Sequence, residues 1–254
     1  MVEVVGDAAR YLDSAPANVG IRQAIRTECV RFLGELNDSD DPTYSRIVVV
    51  GHSLGSVIAY DALRLLWAKL KPHAAVPAAA AKNEGLLAWL HGGNRPEGEV
   101  ACTPQRALID QVPPAERRRW KISDLVTVGS PLTHAPLLLA ECVEDFEQLK
   151  EQRELPTCPP QTDDDADYCG WAEAPGFKLH HAALFAVVQW TNLFFPSDPI
   201  GGPLGPIFGV GIHDVSLPDA PSDAWSDHVR YWATGSRPGS LTFRREIRRL
   251  LGEL

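Results

Sequence analysis

Ser53 stands at the centre of the pentapeptide Gly51-His52-Ser53-Leu54-Gly55. A serine hydroxyl is a poor nucleophile at neutral pH. It needs a general base within hydrogen-bond reach, usually a histidine, and an acid that orients and stabilises the imidazole. Several chain orders deliver such a set; in the one that runs serine, acid, base along an α/β sheet, the acid lies in a turn behind a strand that follows the serine, and the base behind the next strand. Asp198 meets the first condition: it sits in Phe195-Pro196-Ser197-Asp198-Pro199-Ile200, behind an aromatic-rich apolar run and before Gly201 and Gly202. His228 meets the second, in Trp225-Ser226-Asp227-His228-Val229-Arg230-Tyr231-Trp232.

Each assignment has a plainer competitor. Asp198 could simply cap a turn, and His228 could be an ordinary surface histidine. The turn Gly129-Ser130-Pro131-Leu132-Thr133-His134 offers no carboxylate, and none follows until Glu141. His213 is the rival base, but it falls inside a strand pattern beside Asp214. His180 and His181 precede Asp198 and so fall in the wrong order.

The elements that must position these groups are legible as patterns. Ile47-Val48-Val49-Val50 is an apolar β-branched run and reads as a buried strand. Ser56 to about Leu70 reads as a helix. Between them the chain must reverse sharply. Gly51 and Gly55 have no Cβ and are expected to let strand and helix approach closely. Ser53 would then project at a helix N-terminus, where the dipole and unsatisfied N–H groups favour developing negative charge. The backbone N–H of Leu54 is the expected first donor of an oxyanion hole. The expected second donor belongs to a loop behind an earlier strand, yet only 46 residues precede Ile47 and they look mostly helical. Either Val2–Val5 is a remnant of such a strand, or the early strands are missing from this chain; Val5-Gly6-Asp7 could instead line the site.

Elsewhere, Ile21, Ile25, Cys29, Phe32, Leu33 and Leu36 recur at helical spacing and predict an amphipathic helix over Ile21–Leu36. Asp124–Val128 predicts a buried strand stopped by Gly129-Ser130-Pro131, and Leu137–Lys150 a helix. Phe185–Phe195 and Val210–Leu217 predict two further strands. Leu241–Leu251 predicts a terminal helix with Arg244, Arg245, Arg248 and Arg249 on its polar side. Residues 71–120 are of a different character, with an Ala/Pro stretch, an apolar cluster around Trp89 and a Gly/Pro-rich segment. They read as a cap or lid insertion, or equally as a surface excursion. His134, the Trp89 cluster and Trp190 are candidates for lining a pocket, or for ordinary packing.

At 254 residues the chain is expected to form one domain over 1–254, of α/β class, with a mostly parallel sheet and helices on both faces. A net charge of -9 argues against a nucleic-acid or anionic-membrane binder. No run of 18 apolar residues predicts a transmembrane helix, and Met1–Asp7 lacks the features of a signal peptide. The acidic cluster Asp163–Asp165 with Asp167 lacks the ligand spacing of a calcium loop. Five cysteines, Cys29, Cys102, Cys142, Cys158 and Cys169, show no zinc spacing. Cys29 and Cys142 read as small core residues. Cys158 and Cys169 flank the acidic loop and could pair in an oxidising compartment, although reduced thiols in a cytoplasmic chain are the default expectation.

With Gly51–Gly55, Val126-Thr127-Val128-Gly129-Ser130-Pro131, the Asp198 segment and His228 in hand, the chain resembles the α/β-hydrolase superfamily of serine esterases and lipases over roughly residues 46–254. The segments Gly51–Asp61 and Phe195–Ile200 look like intracellular lipases and phospholipases of that superfamily. The resemblance implies an α/β-hydrolase-like sheet with degenerate or missing early strands. It also implies hydrolysis of carboxylic esters, among them lipid esters, through Ser53, His228 and Asp198 and an acyl-enzyme intermediate. That chemistry needs no metal or organic cofactor. A thioesterase or acyltransferase with the same three residues, and a non-catalytic hydrolase-like binding module, are the alternatives.

Overall fold

The computed structural model describes Tyr11 and residues 15–41, 43–70, 75–76, 120–161, 177–178, 180–218, 228–233 and 238–252. Its centre is a four-stranded, all-parallel sheet made of β1 (Ile47–His52), β2 (Ile122–Val128), β3 (Gln189–Phe194) and β4 (His213–Ser216), side by side in chain order. The protein is therefore of α/β class. Residues Ala75–Val76 and Phe177–Lys178 form a separate two-residue antiparallel pair.

Alternation along the strands sorts apolar side chains to two cores. Val49 of β1, Leu125 of β2 and Trp190 of β3 face one of them, together with α2 (Leu54–Leu70). Val48, Val126, Val128 and Leu193 face the other, against Phe243 and Leu250 of α4 (Pro238–Leu251). Helices thus cover both faces of the sheet, which is why β2 is buried along nearly its whole length rather than at alternate residues. The first core holds an aromatic group: the Trp190 ring stacks on Phe185 at 4.6 Å and meets Tyr60 and Phe208 at 5.5 and 5.3 Å. Trp190 is fully buried, and its Nε1 donates to Thr127 Oγ1 at 3.0 Å. It is a packing residue of this core.

Several expected boundaries shift. The first helix, α1, runs from Pro16 to Asp38 and lies on α2 rather than on the sheet. Only the narrow seam of Ile25, Cys29, Val30 and Leu33 meets the core, so Ile21 and Phe32, expected inside, are 64% and 55% exposed. Phe32 and Leu33 are neighbours about 100° apart on the helix, and a single narrow seam accommodates only one of them. The expected helix Leu137–Lys150 is two pieces, Ala135–Leu138 and α3 (Val143–Glu151). Cys142 lies in the break. It is exposed, not in the core, and its Sγ accepts the Asp145 N–H at 3.4 Å as the α3 N-cap. Glu144 and Asp145 in the first turn favour a helix start there. The run Phe185–Phe195 is strand only from Gln189, because Ala183–Ala186 forms a 3-10 turn. The last strand is His213–Ser216, shorter than Val210–Leu217.

The strand carrying the serine, β1, is at the sheet's edge among the described residues, and its Val50 is 45% exposed. Residues 2–7, nearly all of 71–120, the acidic cluster at 163–167, and Cys102 and Cys169 lie outside the described residues. Among the described residues no helix is long and apolar enough to cross a membrane.

Candidate functional site

Each strand of the sheet ends on the same side, and the candidate residues follow those ends. Ligands of open parallel sheets bind in this region, beyond the carboxyl ends of the strands. Ser53 follows β1 directly and Asp198 lies four residues past β3. His228 comes after β4 in a short described segment.

The turn at Ser53 is strained and held from several sides. Ser53 has φ of 53°, in the left-handed region that a residue with a Cβ adopts only when its surroundings impose it. Its N–H donates to Val128 O at 3.0 Å, tying the turn to β2. A directed chain of hydrogen bonds fixes its carbonyl. The Leu132 N–H donates to Ser130 Oγ at 3.2 Å, the two hydroxyls of Ser130 and Ser56 lie 2.6 Å apart, and Ser56 Oγ donates to Ser53 O at 2.5 Å. Ser56 and Ser130 are fully buried, so each proton in the chain has one place to go. A Cβ on Gly51 would lie 2.6 Å from Gly55 O and from Ser56 Cα, so β1 and α2 can approach this closely only with glycine there. Gly55 does not share that role: a Cβ on it would meet nothing within 4 Å.

The structure brings Ser53, His228 and Asp198 together. His228 Nε2 is 2.8 Å from Ser53 Oγ, and His228 Nδ1 is 3.1 Å from each carboxylate oxygen of Asp198. An ionised carboxylate only accepts, so Nδ1 carries the imidazole proton and Nε2 is left to accept from the serine hydroxyl. Asp198 is almost fully buried. The Tyr231 hydroxyl donates to its Oδ2 at 2.6 Å and the Ile200 N–H to its Oδ1 at 2.9 Å. Burial pushes the Asp198 carboxyl up. The hydrogen bonds from His228, Tyr231 and Ile200, with the charge of His228, outweigh burial and hold it below the ordinary aspartate value. Room for that carboxylate comes from two glycines. A Cβ on Gly129 would lie 2.7 Å from Tyr231 Cε2, and one on Gly201 would lie 2.6 Å from Gly129 Cα and 2.9 Å from Asp198 Oδ2.

Leu54 is the first residue of α2, so its N–H is among those that have no acceptor within the helix. Val2–Asp7, the place the sequence offers for a second donor, lies outside the described residues.

The rival base is engaged elsewhere. His213 Nδ1 is 3.1 Å from the Arg249 guanidinium, and Arg249 also pairs with Glu246 at 2.8 Å. Asp214 accepts from Asn192 Nδ2 at 2.7 Å and from the Gly205 N–H at 2.7 Å, which secures the short helix Gly205–Phe208. His180 is buried, with its Nε2 3.0 Å from Gln161 O. His134 is exposed.

Sequence reasoning missed Tyr231 and His52 as contributors to the site. Tyr231 comes three residues after His228, and the 3-10 turn Arg230–Trp232 returns its ring beneath Asp198. The one signal for it in the sequence is a tyrosine close to the candidate base. The signal for His52 is an ionisable ring directly beside the nucleophile. Among the described residues no group of three or more His, Cys, Asp or Glu side chains is arranged to hold a metal ion. Comparison with protein-family models, with curated proteins and with solved structures gives no significant match to this chain.

Proposed function

We propose that the chain is a serine hydrolase of carboxylic esters, of the α/β-hydrolase type, with Ser53 as nucleophile, His228 as general base and acid, and Asp198 as the orienting carboxylate. The observation that carries this reading is the unbroken relay from Asp198 through the two nitrogens of His228 to Ser53 Oγ, at 3.1 and 2.8 Å. It sits on a left-handed turn at a helix N-terminus. A structural hydrogen-bond network requires neither the strained serine nor the buried carboxylate behind a histidine.

In the reaction, His228 Nε2 takes the Ser53 proton as Oγ attacks the ester carbonyl. The Leu54 N–H stabilises the oxyanion, and His228 then protonates the leaving alcohol. Water, giving a proton to the same nitrogen, attacks the acyl-enzyme carbonyl; collapse of the second oxyanion breaks the bond to Ser53 Oγ, which takes the proton back from His228 as the carboxylic acid is released. Asp198 remains ionised throughout, consistent with its lowered pKa. Among the described residues, Val229 and Trp232 are 67% and 53% exposed on the short segment that carries His228.

The test is turnover of p-nitrophenyl esters from acetyl to palmitoyl, with Ser53→Ala as control. Turnover that disappears with Ser53→Ala supports the reading, and the chain-length optimum separates esterase from lipase. Folded protein that turns over none of the series, or turns it over equally without Ser53, refutes it. Preferential transfer to an added alcohol or thiol would redirect the assignment to an acyltransferase.

A further inference from the structure

We infer that His52 is a positioning residue that docks the backbone of His228 against the end of β1, next to Ser53, through a hydrogen bond donated by its Nε2. The inference rests on the proposed reaction and deepens it. His52 Nε2 lies 3.0 Å from the carbonyl oxygen of His228. A carbonyl oxygen can only accept, so Nε2 must donate. The ring is also confined. It stacks on the His228 ring at 5.3 Å with 29° between planes, and it meets the Tyr231 and Trp232 rings edge-on at 5.6 and 6.1 Å. Burial lowers the His52 pKa, against the opposing effect of its hydrogen bond to His228, which keeps the ring neutral near pH 7.

The placement links two reacting groups that are far apart in sequence. His52 immediately precedes Ser53, whose N–H is already fixed to Val128 O at 3.0 Å. The remainder of the His228 segment is anchored beyond His228 itself: Tyr231 hydrogen-bonds Asp198 and the Phe195 N–H, and the Trp232 ring packs on Phe243 at 5.2 Å. The His52 contact acts at the His228 peptide, where a small displacement changes the Nε2-to-Oγ distance most directly. A misplacement of about 1 Å between reacting groups can cost about a hundredfold in rate.

Two variants separate positioning from packing. His52→Gln carries an amide nitrogen at about the reach of Nε2, whereas His52→Leu fills the space without a donor. His52→Leu is expected to lower kcat for a p-nitrophenyl ester about ten- to a hundredfold with KM nearly unchanged, and His52→Gln to recover most of that loss. Equal losses in the two variants, full activity in His52→Leu, or a change confined to KM would overturn the inference. Nitrogen-15 NMR of the histidine rings in the unaltered protein adds a readout independent of turnover. The neutral Nε2–H tautomer at His52 is expected near pH 7, and the Nδ1–H tautomer would overturn the inference. Ser53→Ala in the same assay keeps the two claims apart. Activity that ignores Ser53 contradicts the proposed reaction, whereas serine-dependent activity that ignores His52→Leu contradicts only the role of His52.

Discussion

The Tyr231 hydroxyl donates to Asp198 Oδ2 at 2.6 Å and at the same time accepts the backbone N–H of Phe195 at 3.1 Å. One phenol therefore fixes both the carboxylate and the end of the strand that delivers it. Removing the hydroxyl leaves a buried N–H without its acceptor and the carboxylate with one donor fewer, only His228 and the Ile200 N–H remaining. Tyr231→Phe is expected to lower stability by about 1–3 kcal/mol. It should also lower kcat by roughly tenfold, a loss of about 1.4 kcal/mol in transition-state stabilisation. Urea unfolding and steady-state kinetics on the one variant check both effects. Unchanged kcat with lowered stability would make Tyr231 a packing residue only.

The relay from Asp198 to Ser53 acts as a unit, so its losses should not add. Ser53→Ala and His228→Ala are each expected to reduce kcat on the order of ten-thousand- to a million-fold, and the double variant no further. Asp198→Ala should cost about ten-thousand-fold. These values come from kcat on one p-nitrophenyl ester with circular dichroism to verify the fold. Additive losses would show that the residues do not share one step.

Gly201 and Gly129 lie so close that a Cβ on Gly201 would sit 2.6 Å from the Gly129 Cα and 2.9 Å from Asp198 Oδ2. Gly201→Ala must therefore push backbone or carboxylate aside. Overpacking of this kind costs about 1–3 kcal/mol, and here the displaced group is the one that orients His228. We expect reduced stability together with reduced kcat. Gly55→Ala is the control, because its Cβ would enter open space. Equal effects in the two variants would contradict the crowding described at Gly201.

Asp198 also gives the fold a pH dependence whose sign is fixed. Its pKa in the folded chain is held below the ordinary value, so the unfolded chain takes up this proton more readily. Its contribution to stability is fully present above about pH 4 and is lost as pH falls through the lowered folded value. Unfolding free energy measured between pH 6 and pH 2.5 should fall more steeply for the unaltered protein than for Asp198→Asn. Identical slopes would mean that the carboxylate is not stabilised in the fold.

The parts of the site legible in the sequence were those fixed by local chemistry. The β-branched run before Gly51 and the helical pattern after Gly55 placed Ser53 between strand and helix, because strand, turn and helix are neighbours in the chain. Turn residues around Asp198 marked the end of β3 for the same reason. The parts that were not legible depend on tertiary contacts. Nothing local distinguishes Phe32 from Leu33, and only the angle at which α1 lies on α2 decides which is buried. From its sequence neighbours Trp190 read as packing sooner than as pocket lining, but the rings of Phe185, Tyr60 and Phe208 that surround it are brought together only by the fold. The link from Ser53 O through Ser56 to Ser130 spans 74 residues between the two serines, and no spacing rule connects them.

The most direct test of the central claim is covalent labelling of the intact protein with a fluorophosphonate, followed by mass mapping of the adduct, because it reads the nucleophilicity of a serine whatever its substrate. One adduct is expected, on Ser53, forming at least a hundredfold more slowly in His228→Ala. No adduct on Ser53 in folded protein, or an adduct that forms equally fast without His228, would contradict it.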